Sequence, residues 1–461
     1  MAYKEKIYGS AVSPTQGHFP SIVLTFLIIS LWGIPGRVPA QEPPLEPTGL
    51  FDRSEIIMVW DEGTTGGAGV HEQNLKLKFN FQGFETGERF TGAEAVVTDS
   101  MSYDDRQFDI ISGDFNGDNM ADYVYSLTGD GDSLHLVLAR RLNTLHYTER
   151  NIYKFDGRIL PGKNLIHGDL NGDGRTEFVA GYRTFGEEMA RVAVFGFDDD
   201  FRIELIDRID PQAERDNFAI DLCDLDGDGD DELVLGFIST ASATEYVLQV
   251  YDFDTDLGYT EKARLEPELD FNANSYGYAA LTGADFDLDG REEIVTAFNK
   301  NELDAPNNPD TYLYMAEVTD DPGTGQADPL EMISLYRDGS EAGRYNYGGI
   351  WQILLKPGDL NGDGQPEMLL GCHRGVEIFT VDTTLRIAHL GKGSDVIALS
   401  GDLPSVNYFD VADMTGDDLD DIVAVNHFFS NEPVGTQSFS IRLVRYDSLF
   451  NSTIIESVYQ Y

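Results

Sequence analysis

Nine residues recur six times along this chain, and that repeat constrains the possible folds more than any other feature. The copies read DFNGDNMAD from Asp114, DLNGDGRTE from Asp169, DLDGDGDDE from Asp224, DFDLDGREE from Asp285, DLNGDGQPE from Asp359 and DMTGDDLDD from Asp413. Their starts lie 55, 55, 61, 74 and 54 residues apart, a period at which repeat arrays and propellers place one supersecondary unit. The flanks say which kind of unit. FDIISG, NLIHG, FAIDLC, AALTGA, QILLKPG and YFDVA precede position 1, and YVYSL, FVAGY, LVLGF, IVTAF, MLLGC and IVAVN follow position 9. Such β-branched and aromatic runs are strand-forming, so each nonapeptide is expected to join two strands. Further runs between repeats, SLHLVLARR and ERNIYKF or RVAVFGFD and RIELIDRI, bring the count to four short strands per unit. The sequence therefore predicts an all-β chain, a β-propeller of four-stranded blades.

Within each copy the acids are spaced as an oxygen cage. Positions 1, 3 and 5 are Asp114, Asn116 and Asp118; Asp169, Asn171 and Asp173; Asp224, Asp226 and Asp228; Asp285, Asp287 and Asp289; Asp359, Asn361 and Asp363; and Asp413, Thr415 and Asp417. Thr415 is the one residue among them that is neither Asp nor Asn. Alternate side chains of a tight loop share one side, and position 9 closes the cage with Asp122, Glu177, Glu232, Glu293, Glu367 or Asp421. Position 7 varies freely through Met120, Arg175, Asp230, Arg291, Gln365 and Leu419, as it can when only its backbone carbonyl is used. Position 6 is Gly in four copies and Asn119 or Asp418 in the others, all tolerant of left-handed backbone. Hard cations such as calcium take six to eight oxygens in a flexible cage, so up to six structural calcium ions are expected. An EF-hand is excluded, because position 12 is Tyr125, Ala180, Leu235, Thr296, Leu370 or Ala424 where that loop needs Glu. Metal-free Asp-Gly turns would explain one copy; six copies would hold like charges together at a cost.

These loops and their strands, covering roughly residues 105–461, resemble the FG-GAP or VCBS-type repeats of integrin α-subunit propellers and of many secreted bacterial proteins. The Gly-Ala-Pro that follows the integrin loop is absent, although Gly181, Gly236 and Gly371 stand near its place; the closer match is to the bacterial type. The resemblance implies seven blades, with the cation loops joining the first and second strands of each blade on one face. Residues 54–104 hold EIIMVWDE, NLKLKFNF and AEAVVTDS without a cation loop. They are expected to form a divergent N-terminal blade completed by a terminal strand; six blades with an N-terminal extension is the alternative.

Charge and termini bear on location. The chain has 81 acidic and 32 basic side chains, a formal net charge of −49, which disfavours nucleic acid and anionic membranes as partners. Residues 21–34, SIVLTFLIISLWGI, form an uncharged apolar run after Lys4 and Lys6 and before Pro35, Gly36 and the small-residue end Val38-Pro39-Ala40. That order reads as an export signal over residues 1–40, cleaved near Ala40, followed by a Pro- and Glu-rich linker over 41–53; an uncleaved membrane anchor is the rival reading. The run is short of the ~20 residues a bilayer-spanning helix needs, and the mature chain is expected to have no transmembrane helix, to be secreted or surface-located, and to be monomeric. The two cysteines, Cys223 and Cys372, lie in strand-like runs and read as small buried residues rather than as a disulfide.

The variable loops suggest where a ligand would bind. The longest span residues 299–311, 337–351 and 427–438, and the candidate aromatics are Tyr276, Tyr278, Tyr345, Tyr347, Trp351, Phe428 and Phe429. Aromatic planes beside Asn and Asp suit a sugar or a peptide anchor, although any one of them could simply pack between blades. No HExxH, GxSxG or phosphate-binding Gly loop is present. His71 with Glu72 reads as a solvated turn, and His167 as a packing residue. The expected function is binding or adhesion to an extracellular glycan or protein. A polysaccharide-active enzyme is the alternative, with Arg337, Arg344 and Arg374 as its basic residues.

Overall fold

The computed structural model describes residues 24–29, 55–60, 74–80, 94–98, 109–116, 122–129, 133–143, 146–160, 164–184, 189–239, 246–266, 279–300, 310–318, 330–338, 354–372, 375–390, 407–414, 419–429, 437–447 and 452–460. Every regular element among them is a β-strand. The first sheet holds β1 (Leu24–Ile29), β2 (Glu55–Trp60), β3 (Asn74–Asn80) and β4 (Glu94–Thr98), and the second holds β5 (Ile110–Gly113), β6 (Asp122–Gly129), β7 (Ser133–Asn143) and β8 (His146–Asp156). After the short β9 (Arg158–Ile159) comes a larger sheet of β10 (Leu165–Gly168), β11 (Glu177–Arg183), β12 (Met189–Phe197), β13 (Ile203–Cys223), β14 (Glu232–Ser239), β15 (Tyr246–Phe253) and β16 (Tyr259–Leu265). Next come β17 (Ala279–Ala284), β18 (Glu293–Lys300), β19 (Asp310–Val318) and β20 (Leu330–Asp338), then β21 (Leu354–Gly358), β22 (Glu367–Cys372), β23 (Gly375–Val381) and β24 (Ile387–His389). β25 (Asn407–Ala412), β26 (Asp421–Phe429), β27 (Gln437–Tyr446) and β28 (Ser452–Gln460) form the last sheet.

The larger sheet is two units joined by one strand. The first part of β13 pairs with β12 as far as Glu214, and its second part pairs with β14 from Phe218 to Cys223. Gln212 between them has φ 58°, and the register shifts from Ala213 to Phe218. Counting those halves separately, the described strands form seven antiparallel four-stranded units. Their first strands pack in chain order: β1 on β5, β5 on β10, β10 on β13, β13 on β17, β17 on β21 and β21 on β25. β25 returns to β1 and closes the ring. The chain is a β-propeller.

The C-terminal strand β28 completes the last unit, pairing with β27 from Tyr446↔Ser452 to Ser438↔Gln460. The terminal strand that completes the first unit is β1, its first strand, paired antiparallel with β2 from Leu24↔Trp60 to Ile29↔Glu55. This strand lies inside the span read from sequence as an export signal.

Burial follows position in the blade. β11 and β15, second and third strands, are buried along nearly their whole length, whereas the fourth strand β16 is mostly half-exposed or exposed. Inner strands are covered on both faces by neighbouring blades, which is why their sequences are continuous apolar runs instead of alternating ones. The core accordingly lies between units. Ile111, Val124 and Leu136 of the second unit pack with Phe178, Ala180 and Phe195 of the third. Leu360, Leu369 and Ile378 of the sixth pack with Phe409, Ile422 and Val444 of the seventh. Cys223 is buried, with 0% of its surface exposed, consistent with a small core residue.

Polar clasps join the inner strands around the axis. Asp109 Oδ2 accepts the backbone N–H of Asn164 and of Leu165 at 3.1 and 3.0 Å, tying the second unit to the third. Burial pushes its carboxyl up to about 6 although these donors oppose it. Lys356 of β21 reaches Asp410 of β25 at 3.0 Å, tying the sixth unit to the seventh.

Candidate calcium loops

Every nonapeptide sits between the first and second strands of its unit, and the four starting at Asp169, Asp224, Asp285 and Asp359 are described throughout. The position-1 carboxylate accepts the backbone N–H of position 6: Gly174 on Asp169 at 2.8 Å, Gly229 on Asp224 at 3.1 Å, Gly290 on Asp285 at 3.0 Å and Gly364 on Asp359 at 2.8 Å. Position 3 accepts from the N–H of position 5, as Asp289 on Asp287 at 3.1 Å and Asp363 on Asn361 at 2.9 Å. Position 5 accepts from the N–H of position 7, as Arg291 on Asp289 at 3.0 Å and Gln365 on Asp363 at 2.9 Å. These bonds curl the loop around its own acids, as short polar side chains do in turns.

Position 9 returns to the start of the loop. Its carboxylate accepts the backbone N–H of position 2: Leu170 to Glu177 at 3.2 Å, Leu225 to Glu232 at 2.8 Å, Phe286 to Glu293 at 2.8 Å, Leu360 to Glu367 at 3.0 Å and Met414 to Asp421 at 3.1 Å. Its other oxygen faces position 3, for Asn361 Nδ2 donates to Glu367 Oε1 at 2.8 Å; Asn116 Nδ2 likewise donates to Asp122 at 2.7 Å. Carboxylate oxygens of Asp285, Asp287 and Asp289 come within 4.8 Å of one another, as do those of Asp224, Asp226 and Glu232. All-oxygen sets drawn from positions 1, 3 and 5 or 1, 3 and 9 fit the chemistry of a hard divalent cation, whose ligands stand about 2.3–2.6 Å away when calcium is bound. Asp118, Met120, Thr415 and Asp417 lie outside the described residues.

Three further positions matter that the spacing of acids did not reveal. Position 2 is a buried anchor, filled by Phe115, Leu170, Leu225, Phe286, Leu360 and Met414. Position 4 also takes left-handed backbone, at Gly172 (φ 65°), Gly227 (φ 76°), Gly362 (φ 77°) and Leu288 (φ 64°). A side chain at Gly172 would also collide with the Asp230 carboxylate of the next loop. Position 8 joins neighbouring loops. Asp231 accepts the N–H of Asp169 at 2.9 Å and donates its own N–H to the carbonyl of Asp169 at 2.9 Å. Asp420 makes the same pair of bonds with Asp359, both at 2.9 Å. Glu292 donates its N–H to the carbonyl of Asp224 at 2.9 Å. Where position 8 is Pro366 and lacks the N–H, Gln365 Nε2 donates to the Phe286 carbonyl instead. The five loops from Asp169 to Asp421 are thus connected one to the next along one face.

Burial and the neighbouring acids act together on position 9. Burial first, then the charges of Asp173 and Asp169, push Glu177 up to about 7. Glu293 and Glu367 are pushed up to about 8 by burial and by the acids of their own loops. Among the described side chains, a basic group reaches this point in two loops. Lys262 Nζ lies 2.6 Å from Asp226 and 2.7 Å from Glu232, and Arg445 Nε lies 3.5 Å from Asp421. Burial alone would lower the Lys262 ammonium, but its two carboxylate hydrogen bonds outweigh that and hold it above the usual lysine range.

Two of the candidate ligand aromatics, Phe428 and Phe429, fall among the described residues. Tyr276, Tyr278, Tyr345, Tyr347 and Trp351 lie outside the described residues, as do Arg344, Arg374, His71 and Glu72. Phe428 and Phe429 are strand residues of β26, opposite Ser438 and Gln437 of β27. His167 packs edge-on against Phe115 with ring centroids 5.6 Å apart. A cavity of about 690 Å³ opens beside the loop belt, lined by Asn116, Arg175, Asp199, Phe201 and Glu204 among others.

No protein-family model and no curated protein matches the sequence. Solved structures do. A protein from Lactobacillus plantarum is 12% identical, over 88% of this chain and 99% of its own, with a TM-score of 0.49. An Agrocybe aegerita lectin, described as recognising non-reducing terminal N-acetylglucosamine, is 13% identical over 76% of this chain and 81% of its own, with a TM-score of 0.41. The Dos1 propeller is 10% identical over 78% and 72%, with a TM-score of 0.38. These are distant likenesses of fold.

Proposed function

We propose that this chain is an exported propeller of the FG-GAP or VCBS type, that its seven units are seven blades braced by calcium, and that it binds an extracellular glycan or protein. The observation that carries the reading is the repeated loop itself. Four loops in four units use the same hydrogen bonds to set out acids or amides at positions 1, 3, 5 and 9. A chain of net charge −49 that gathers its acids in this way is suited to an environment rich in divalent ions, where sites with dissociation constants of about 10⁻⁴–10⁻³ M are filled. With the loops serving structure, recognition falls to the connections between blades. The test is an array of glycans and extracellular matrix proteins probed with and without EGTA. Selective retention in calcium, lost in chelator, is the expected outcome. Retention of nothing, or release of product from a uronic polysaccharide, would sink the binding-module reading.

Export and β1 compete for the same residues. Cleavage near Ala40 would leave the first unit with three strands. The N-terminal sequence of the exported protein separates the alternatives: the export reading expects a start at Gln41, and a start upstream of Leu24 would mean that β1 is kept to close the ring.

A further inference from the structure

The fourth unit differs from its neighbours in one side chain. β15 and β16 pair Val250 with Ala263 and Tyr251 with Glu261, so Lys262 is the extra residue of a β-bulge. Bulges re-aim a side chain out of the regular pleat. This one carries the Lys262 ammonium to within 2.6 Å of Asp226 Oδ2 and 2.7 Å of Glu232 Oε1, with the lysine side chain only 12% exposed. The two acids stand at positions 3 and 9 of the loop that begins at Asp224. They belong to the set that must converge on a bound cation, and the nitrogen lies between them.

We propose that Lys262 is a built-in cation for the loop at Asp224–Glu232, and that this loop takes up no divalent ion in the wild-type protein. The inference rests on the calcium reading of the other loops. An ion bonded to both acids would compete for the space that the ammonium occupies, and it would meet a positive charge at close range in a partly buried setting, where repulsion is weakly screened. Displacing the lysine would also strip a buried ammonium of its two carboxylate partners.

The neighbouring units show that the place is general and the lysine is particular. The same bulge recurs between β12 and β13, where the extra residue is Ile206, and between β19 and β20, where it is Ile333. Ile206 packs against the core shared by the third and fourth units. Arg150 holds the corresponding place between β7 and β8. In the third and fourth units the residue at this bulge sets whether the outer strand brings an apolar side chain or a positive charge toward the loop. In the fourth unit that loop is also the most acidic of the six, with carboxylates at positions 1, 3, 5, 7, 8 and 9.

The test is the number of calcium ions bound, counted by equilibrium dialysis at millimolar calcium, for the wild-type protein and for Lys262→Met. The methionine keeps an apolar stem and removes the charge. The variant is expected to bind one ion more than the wild type; an equal count overturns the proposal. The wild-type count tests the calcium reading separately. Several ions in both proteins at equal number would leave that reading standing and sink this one. None in the wild type and one in the variant would do the reverse, and none in either would remove both. Should Lys262→Met fail to fold, Asp228→Ala decides instead. Asp228 is exposed at position 5 and is not one of the two acids that Lys262 contacts. Its removal is expected to leave the ion count unchanged, whereas Asp289→Ala and Asp363→Ala each lose one ion. Loss of an ion from Asp228→Ala overturns the proposal.

Discussion

Stripping calcium with EGTA is expected to lower the melting temperature by about 10 °C near pH 7.5. Three fully described loops have no lysine at their centre, those beginning at Asp169, Asp285 and Asp359. At calcium about 100-fold above the dissociation constant, each site adds about 2.7 kcal/mol, or about 8 kcal/mol for three independent sites. A domain of 150–250 residues shifts by about 2–4 °C per kcal/mol, and a chain twice that length by about half as much. The belt of position-8 bonds should make the loss cooperative, because Asp231 and Asp420 tie one loop to the next. An unchanged melting temperature would show that the loops brace the ring without metal.

The pH dependence of the stripped protein gives a second reading of the same experiment. Glu177 is pushed up to about 7, and Glu293 and Glu367 to about 8, from an ordinary value of 4.5. An acid whose folded value is raised holds more protons in the folded than in the unfolded chain between the two values. The stabilisation it gives is therefore complete below about 4.5 and lost as pH rises through 7 to 8. In EGTA the melting temperature should fall from pH 5 to pH 8. In calcium the ionised form is the one bound, so the gap between the two curves should widen over that range.

Much of this was legible in the sequence because the acids are a local pattern. Spacing within nine residues sets positions 1, 3, 5, 6 and 9, and the flanking runs give the strand on each side. What escaped notice is held by other parts of the chain. Asp231 looks like one acid among many until Asp169, 62 residues away, is found bonded to it. Lys262 lies 36 residues beyond Asp226 and reaches it only because a bulge turns it. A second recurring turn, between third and fourth strands, is marked faintly as DDDFR, DTDLG and DTTLR. There Asp198, Asp254 and Asp382 accept backbone N–H groups two and four residues on. Phe201, Leu257 and Leu385 take left-handed backbone at 57°, 60° and 58°, a conformation that bulky side chains rarely adopt. Nothing in residue type announces that strain. The closing strand of the first unit was hidden for another reason: an apolar run can serve as an export signal or as an inner strand, and composition alone does not choose.

Replacing Phe286 by Ala is expected to destabilise the calcium-loaded protein by about 3–5 kcal/mol, measured by urea unfolding. Phe286 stands at position 2 of its loop with 0% of its surface exposed. It lies in the core between the fifth and sixth units, with Val295 and Leu313 from one and Met368 and Phe379 from the other. Its backbone serves the loop in both directions, donating N–H to Glu293 at 2.8 Å and accepting Gln365 Nε2 at its carbonyl. Truncation therefore opens a cavity beneath the point where position 9 is fastened and where two loops meet. Phe286→Leu keeps most of the volume and should cost less than about 1.5 kcal/mol. A loss below about 1 kcal/mol for the alanine variant would mean that neighbouring units close over the gap. Position 2 would then be a filler, and the loop would owe its shape to its acids alone.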